Sequence, residues 1–314
     1  MTSNETDLKS FLDHLTNVSK ENSAETFFMS GMSAEMFMLL YIMLMKKYKY
    51  DCVLNINRDQ KGAPSTVLAD VTKTEILAKQ IVSCVKSGIR VIVIPMRILG
   101  INGSNPHANM LIYKVFEKYH QIDHFEPHGV RPMFSHNPEE INSIIRSLIE
   151  NIKAQYRGKL RLKYRRPADV CPINVRRGIQ LTHEDWLRST QENTGAMDAR
   201  NNVGLCAYWA FLVAELVLKF PEMKTKDIVR TVYESSSYND LIRGFVFYHN
   251  DELNALYMRF RGNPEKPREL YKNLRNYINK KYLKTSLLNY FGTRMTRRGG
   301  KKRSQRSTTL RIYR

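Results

Sequence analysis

Behind Ser33, apolar residues return at Met36, Leu39, Leu40, Met43 and Leu44. That spacing predicts a helix running to about Lys47, with Ser33 as its N-cap. Residues 6–20 carry a weaker pattern of the same period. Residues 50–56 ("YDCVLNI") read as a strand, 59–65 ("DQKGAPS") as a loop, and about 72–86 as a second helix closed by Gly88. "IRVIVIPM", residues 89–96, is β-branched and apolar on both faces, the pattern of a central buried strand. Residues 107–115 ("HANMLIYKV") and 121–127 ("QIDHFEP") read as two strands of a hairpin. Ile141, Ile144, Ile145, Leu148 and Ile152 then mark an amphipathic helix over 137–156. Residues 157–177 are basic, and 178–205 are polar with one short helix expected near 184–188. "CAYWAFLVAELVLKF" predicts a buried helix from Cys206, stopped by Pro221. Its charges, Glu215 and Lys219, stand four apart and suggest one narrow wet stripe. Further helices are expected at 224–235, 250–260 and 266–282.

Strands and helices mixed in this way predict an α+β fold. The expected organisation is a helical N-terminal extension (1–48), a main domain (49–250), C-terminal helices (251–291) and a basic, low-complexity, disordered tail (292–314). The longest apolar run, residues 36–45, has ten residues, where a membrane span needs about 20. The N-terminal stretch is polar and lacks the basic-then-apolar order of a secretory leader.

The formal net charge of +20 changes the picture of partners. The last 21 residues hold nine Lys/Arg and no acid, and the rest of the chain is still basic. Such a balance predicts non-specific attraction to DNA or RNA, the tail first. "KYRR" (163–166) and residues 266–284 interleave bases with tyrosines, which suits either a nucleic-acid backbone or a solvated face. The four cysteines (Cys52, Cys84, Cys171, Cys206) form no C-x-x-C pair, and the eight histidines have no finger-like spacing. That argues against a structural zinc site and names no cofactor; it also argues against disulfides in a reducing compartment.

Cys206 opens the apolar helix, with Gly204 just before it. A thiol in a first turn sits at the positive end of the helix dipole, which favours a thiolate; an inert core cysteine is the competing reading. A nucleophile needs a base and a group to orient that base. His107 is the best-placed base, at a loop-to-strand junction after "NGSNP". Residues 107 and 126 are nearly symmetric about the hairpin turn, so Glu126 is expected beside His107, with Asp123, His124 and His128 as nearby competitors.

These residues carry a resemblance. "VIVIPMRILG", "HANMLIYKV", "IDHFEPHG", "CPINVRRGIQLTHED" and "GLCAYWAFLVAELVLKFP", spread over about residues 90–221, resemble the cysteine proteases of the SUMO-protease and adenovirus-protease group. The nearest version is that of large cytoplasmic DNA viruses. The order His, acid, Cys matches this group and differs from papain's. The resemblance implies a papain-like fold, a central mixed sheet flanked by helices with the nucleophile at a helix N-terminus. It makes Cys206 the nucleophile, His107 the base and Glu126 the orienting acid, with Asp123 or Asn109 as alternatives for the last role. The group's oxyanion-hole glutamine would be Gln180, in "GIQ", although it lies 26 residues before Cys206; Gln191 and Asn202 are alternatives. Ala108 stands where the cellular enzymes often have Trp.

The implied function is hydrolysis of peptide or isopeptide bonds after glycine-rich sites, in polyprotein maturation or removal of ubiquitin-like modifiers. The implied setting is a virion or the viral factory of the host cytoplasm. Gly299-Gly300 in "RRGGKK" offers a site for self-processing. A rival from another class is a non-catalytic basic virion or nucleic-acid-associated protein on a degenerate protease scaffold.

Overall fold

The computed structural model describes residues 3–22, 34–48, 56–58, 64–66, 74–98, 107–129, 138–171, 178–180, 182–183, 205–235, 237–262 and 269–278. Gln191, Asn202, Gly204, the short helix expected at 184–188 and the tail with Gly299-Gly300 lie outside them. The elements run α1 (Ser3–Glu21), α2 (Ala34–Lys47), β1 (Ile56–Arg58), β2 (Pro64–Thr66), α3 (Thr74–Lys86), β3 (Val91–Ile98), β4 (His107–Val115), β5 (His120–Phe125), α4 (Pro138–Gln155), β6 (Leu162–Arg165) and α5, a single turn (Pro167–Val170). Then follow α6 (Leu205–Lys219), α7 (Thr225–Glu234), α8 (Tyr238–Tyr248), α9 (Asn250–Phe260) and α10 (Glu269–Ile278).

The fold is α+β, with one small mixed sheet and many helices. Four strands run in the order β3-β4-β5-β6, and a separate hairpin pairs β1 with β2. β3–β4 and β4–β5 are antiparallel, whereas β5–β6 is parallel. β4 is buried along almost its whole length, on both faces. β3 corrects the expectation of a central strand. It is an edge of this sheet, paired with β4 alone among the described strands. Pro95 within it has no N–H to offer a second neighbour, as an edge strand permits. Its burial comes from helices such as α6, which packs on β3 and β4.

α3 and α4 pack on each other through their apolar stripes and a small polar seam, where Asn151 donates to Thr74 Oγ1 at 2.9 Å. Gly88 closes α3 with φ +94°, as a C′ residue does. α2 is buried from Phe37 to Met45 and meets α6 edge-on, Phe37 to Phe211, at 4.9 Å. α1 lies against α8, where Ser19 Oγ donates to Asp240 Oδ1 at 3.0 Å, and α9 and α10 pack on α2. One apolar core therefore runs from α1 to α10. Among the described residues no helix is long and apolar enough to cross a membrane.

Two further expectations are corrected. Glu215 forms no wet stripe with Lys219. It is fully buried and accepts hydrogen bonds from Lys47 Nζ (2.7 Å) and Tyr48 OH (2.9 Å), with His249 Nε2 at 2.6 Å. A buried carboxylate persists only when paired and hydrogen-bonded, and this one joins α2, α6 and the α8–α9 junction. Cys84 is disulfide-bonded, its partner lying outside the described residues. Wide spacing along a chain does not fix separation in space.

Candidate active site

β4 and α6 run side by side in the same direction and are tied at both ends. At the start, the Ala108 N–H points to Cys206 Sγ at 3.4 Å. At the far end, the buried Lys114 ammonium donates to the carbonyls of Pro221 (3.1 Å) and Met223 (2.5 Å). The lengths agree: six strand steps at ~3.3 Å and the thirteen helical steps from Cys206 to Lys219 at ~1.5 Å each span about 20 Å. A strand that begins at His107 and a helix that begins one residue before Cys206 thus bring an imidazole and a thiol together.

His107 is the hub. Its Nε2 lies 2.5 Å from Glu126 Oε1. The same ring is hydrogen-bonded to Cys206. With Nε2 committed to the carboxylate, Nδ1 is the nitrogen left for the sulfur. Cys206 is 6% exposed and the His107 side chain 12%, so the pair lies just beneath the surface.

The hairpin register refines the expected geometry. Met110 pairs with Phe125, so the same register continued sets Asn109 opposite Glu126 and His107 opposite His128. Glu126 reaches His107 on the diagonal, within the range of long side chains on one sheet face. It also accepts the backbone N–H of His128 at 2.9 Å. The His128 ring stacks on His107 with centroids 4.3 Å apart and planes 15° from parallel.

The electrostatics follow. Burial works against an imidazolium at His107. The Glu126 carboxylate and hydrogen bonds to Cys206 and Glu126 outweigh it, raising His107 from 6.5 to about 10. Burial works against the Glu126 carboxylate too. The His107 charge and hydrogen bond, helped by His128, hold it down at about 2 instead of 4.5. The pair is a buried ion pair over the whole neutral range.

The competing acids go elsewhere. Asn109 Nδ2 lies 3.0 Å from His124 Nε2, one step deeper on the same face. Desolvation lowers His124 to about 4, so this second pair is uncharged at neutral pH. Asp123 accepts from Gln121 Nε2 at 2.7 Å and bonds Thr225. Of the expected acids, Glu126 is the one that meets His107.

Gln180 is also brought to this region, by a route that spacing along the chain does not reveal. Gly178 N–H donates to His128 O at 2.8 Å, and Gln180 N–H to Pro127 O at 3.0 Å. A Cβ on residue 178 would lie 2.2 Å from Pro127 O, so only glycine allows so close a pairing. Three residues on, the buried His183 ring meets Trp209 edge-on at 5.8 Å and is hydrogen-bonded to Asn239. Trp209 is one turn beyond Cys206 in α6. The Gly178–Gln180 segment is therefore anchored to the Glu126 loop on one side and, through His183, to the helix of Cys206 on the other. His183 was not among the expected site residues. A lone histidine in a polar stretch gives no signal until Trp209 is seen to be its neighbour.

Cys171 lies close by, its Sγ 3.5 Å from Glu126 O, but its environment is different. Burial and the Glu126 charge push its thiol up to about 12. At pH 8 its thiolate fraction is on the order of 10⁻⁴. A thiol reagent at pH 8 is therefore expected to modify Cys206 and leave Cys171 intact until the protein is unfolded. Peptide mapping checks this, and equal modification of both in the folded protein would contradict the arrangement.

No family model, curated protein or solved structure matches the chain.

Proposed function

We propose that this chain is a cysteine protease of papain-like fold, with Cys206, His107 and Glu126 as its triad. The supporting observation is the imidazole held between a carboxylate and a thiol that opens a buried helix. The Cys206 thiolate, its charge held by the adjacent His107 imidazolium, attacks a peptide or isopeptide carbonyl. The oxyanion is met by the Cys206 N–H, one of the first-turn donors that a helix leaves without an internal partner, and by the Gln180 amide. Each such donor is worth about 2.7–4 kcal/mol. The imidazolium then protonates the leaving amine. Water, activated by the same imidazole, hydrolyses the thioester to a carboxylic acid and frees the thiol.

The substrate class is a polypeptide cleaved after glycine-rich sequence, either a viral structural polyprotein or a ubiquitin-like modifier. Work in a virion or viral factory, with nucleic acid held by the basic tail, belongs to the same proposal. The non-catalytic rival accounts equally well for the +20 charge but has no use for a His107–Cys206 contact. Purified full-length protein is expected to hydrolyse Gly-Gly-X peptides or a ubiquitin-like substrate, and the Cys206→Ala variant to be inert. Turnover that survives in Cys206→Ala, or its absence from the wild type on both substrate types, sinks the reading.

The donor role of Gln180 makes a separate prediction. Gln180→Ala is expected to lower kcat about 10²–10³-fold with KM little changed, because the donor serves the transition state. His183→Ala should move kcat the same way by less and speed amide exchange at 178–180. A rise in KM with kcat intact would assign Gln180 to substrate binding instead.

A further inference from the structure

We propose that His107, Glu126 and His128 form a binding site for a soft divalent cation of the zinc type, and that the loaded site is an off state for Cys206. The binding half stands on geometry alone, and the off-state half rests on the cysteine chemistry proposed above. The ligating atoms of the three side chains all lie within 4.8 Å of one another, in a partly exposed cluster. Two imidazoles and a carboxylate are a recognised zinc set that leaves a fourth position open. Zinc bonds of ~2.0–2.2 Å set neighbouring ligand atoms roughly 3.4 Å apart, so the wider pairs draw in and the 2.5 Å Glu126–His107 pair opens by roughly 1 Å.

The hairpin supplies the set. His107 begins β4, His128 stands opposite it by register, and Glu126 lies between them, with one carboxylate oxygen 2.5 Å from His107 Nε2 and 2.9 Å from the His128 N–H. The stacked rings are 15° from parallel, and a metal lies in the plane of each ring that binds it. One ring must turn. His128 is the ring assigned that turn, since it sits in the turn after β5 and the terminal torsion of a histidine is broad. Such a site has no zinc-finger spacing along the chain, because strand register assembles it.

The chemical consequence is specific. A metal on His107 Nε2 displaces the proton from that nitrogen to solvent and replaces the hydrogen bond to Glu126. Nδ1 then keeps its hydrogen and donates it toward the sulfur. The metal-bound ring is no longer the imidazolium that pairs with the sulfur, and giving its remaining proton to a leaving amine would leave an imidazolate, so it cannot serve as the acid.

Chelator-treated full-length protein titrated with ZnCl2 in a calorimeter tests the site, with Co2+ absorption as a second readout. One equivalent is expected, weakened at least about tenfold in His128→Ala and in the isosteric control His128→Gln, and kept in Cys206→Ala. Melting curves establish that the variants fold. Zinc is also expected to protect Cys206 from iodoacetamide, and EDTA to restore reaction. No uptake by the wild type, binding unchanged in both His128 variants, or binding lost in Cys206→Ala overturns the site. Uptake without protection overturns the off state. Metal binding that persists in a chain with no peptidase activity leaves the site standing and removes the protease reading, so the two failures are distinguishable.

Discussion

His107→Ala is expected to lower peptide turnover by about 10²–10⁴-fold, the range a positioned general acid–base supplies. The same change should slow alkylation of Cys206 at pH 6, because the sulfur loses the imidazole that supports its negative charge. The physical reason lies in the hub geometry. Among the described residues, His107 is the group that contacts both the thiol and the carboxylate. Removing the ring leaves the sulfur with the Ala108 N–H as its remaining described polar neighbour. Alkylation rates at pH 6, mapped by mass spectrometry, separate Cys206 from the buried Cys171. A variant that reacts as fast as wild type would show that the contact does nothing for the thiol.

Glu126→Gln should have a comparable effect by a different route. The amide keeps a polar group beside Nε2 but removes the negative charge, the largest influence that raises His107. The imidazolium is then expected to be lost well below the wild-type value of about 10, followed through the His107 Cε1–H resonance. Turnover should fall about 10²-fold or more, since the transition-state imidazolium loses its counter-charge. The stability consequence has a definite sign. Glu126 is depressed from 4.5 to about 2, so its contribution is present above 4.5 and fades as pH falls towards 2. His107 is raised from 6.5 to about 10, so its contribution is complete below 6.5 and fades as pH rises towards 10. The two halves describe one interaction, complete between about 4.5 and 6.5. Wild type minus variant stability, from denaturant titrations across pH, should peak in that interval. A difference that does not vary with pH would mean that the pair is not charged in the fold.

Much of this site was legible because its parts sit where elements change. A histidine opening an apolar strand, a glutamate just past the returning strand and a cysteine opening an all-apolar helix each stand at an end, where side chains emerge from a core. Period alone could locate those ends. It could not give the register, and here the hairpin is offset so that His128, not Glu126, faces His107. Nor could it show that residues 178–180 return to the loop after β5, because that depends on a backbone contact only Gly178 permits. α8 was missed. Its sequence follows a serine cluster and contains Gly244, signals that read as loop, while its helical form is supported by packing on α1. Glu215 suggests a solvated stripe in the sequence because a lone carboxylate on an apolar helix has no visible partner until Lys47, Tyr48 and His249 are brought to it. In each case the missing information was a partner distant in sequence.

The most direct test uses a peptide ending in Gly-Gly with a thiol-reactive electrophile in place of the scissile carbonyl, incubated with the full-length chain and weighed intact. The account predicts a single adduct, mapped to Cys206, formed far more slowly in His107→Ala and Glu126→Gln and absent from Cys206→Ala. An adduct formed equally fast without His107, or none on Cys206 in the wild type, would contradict it.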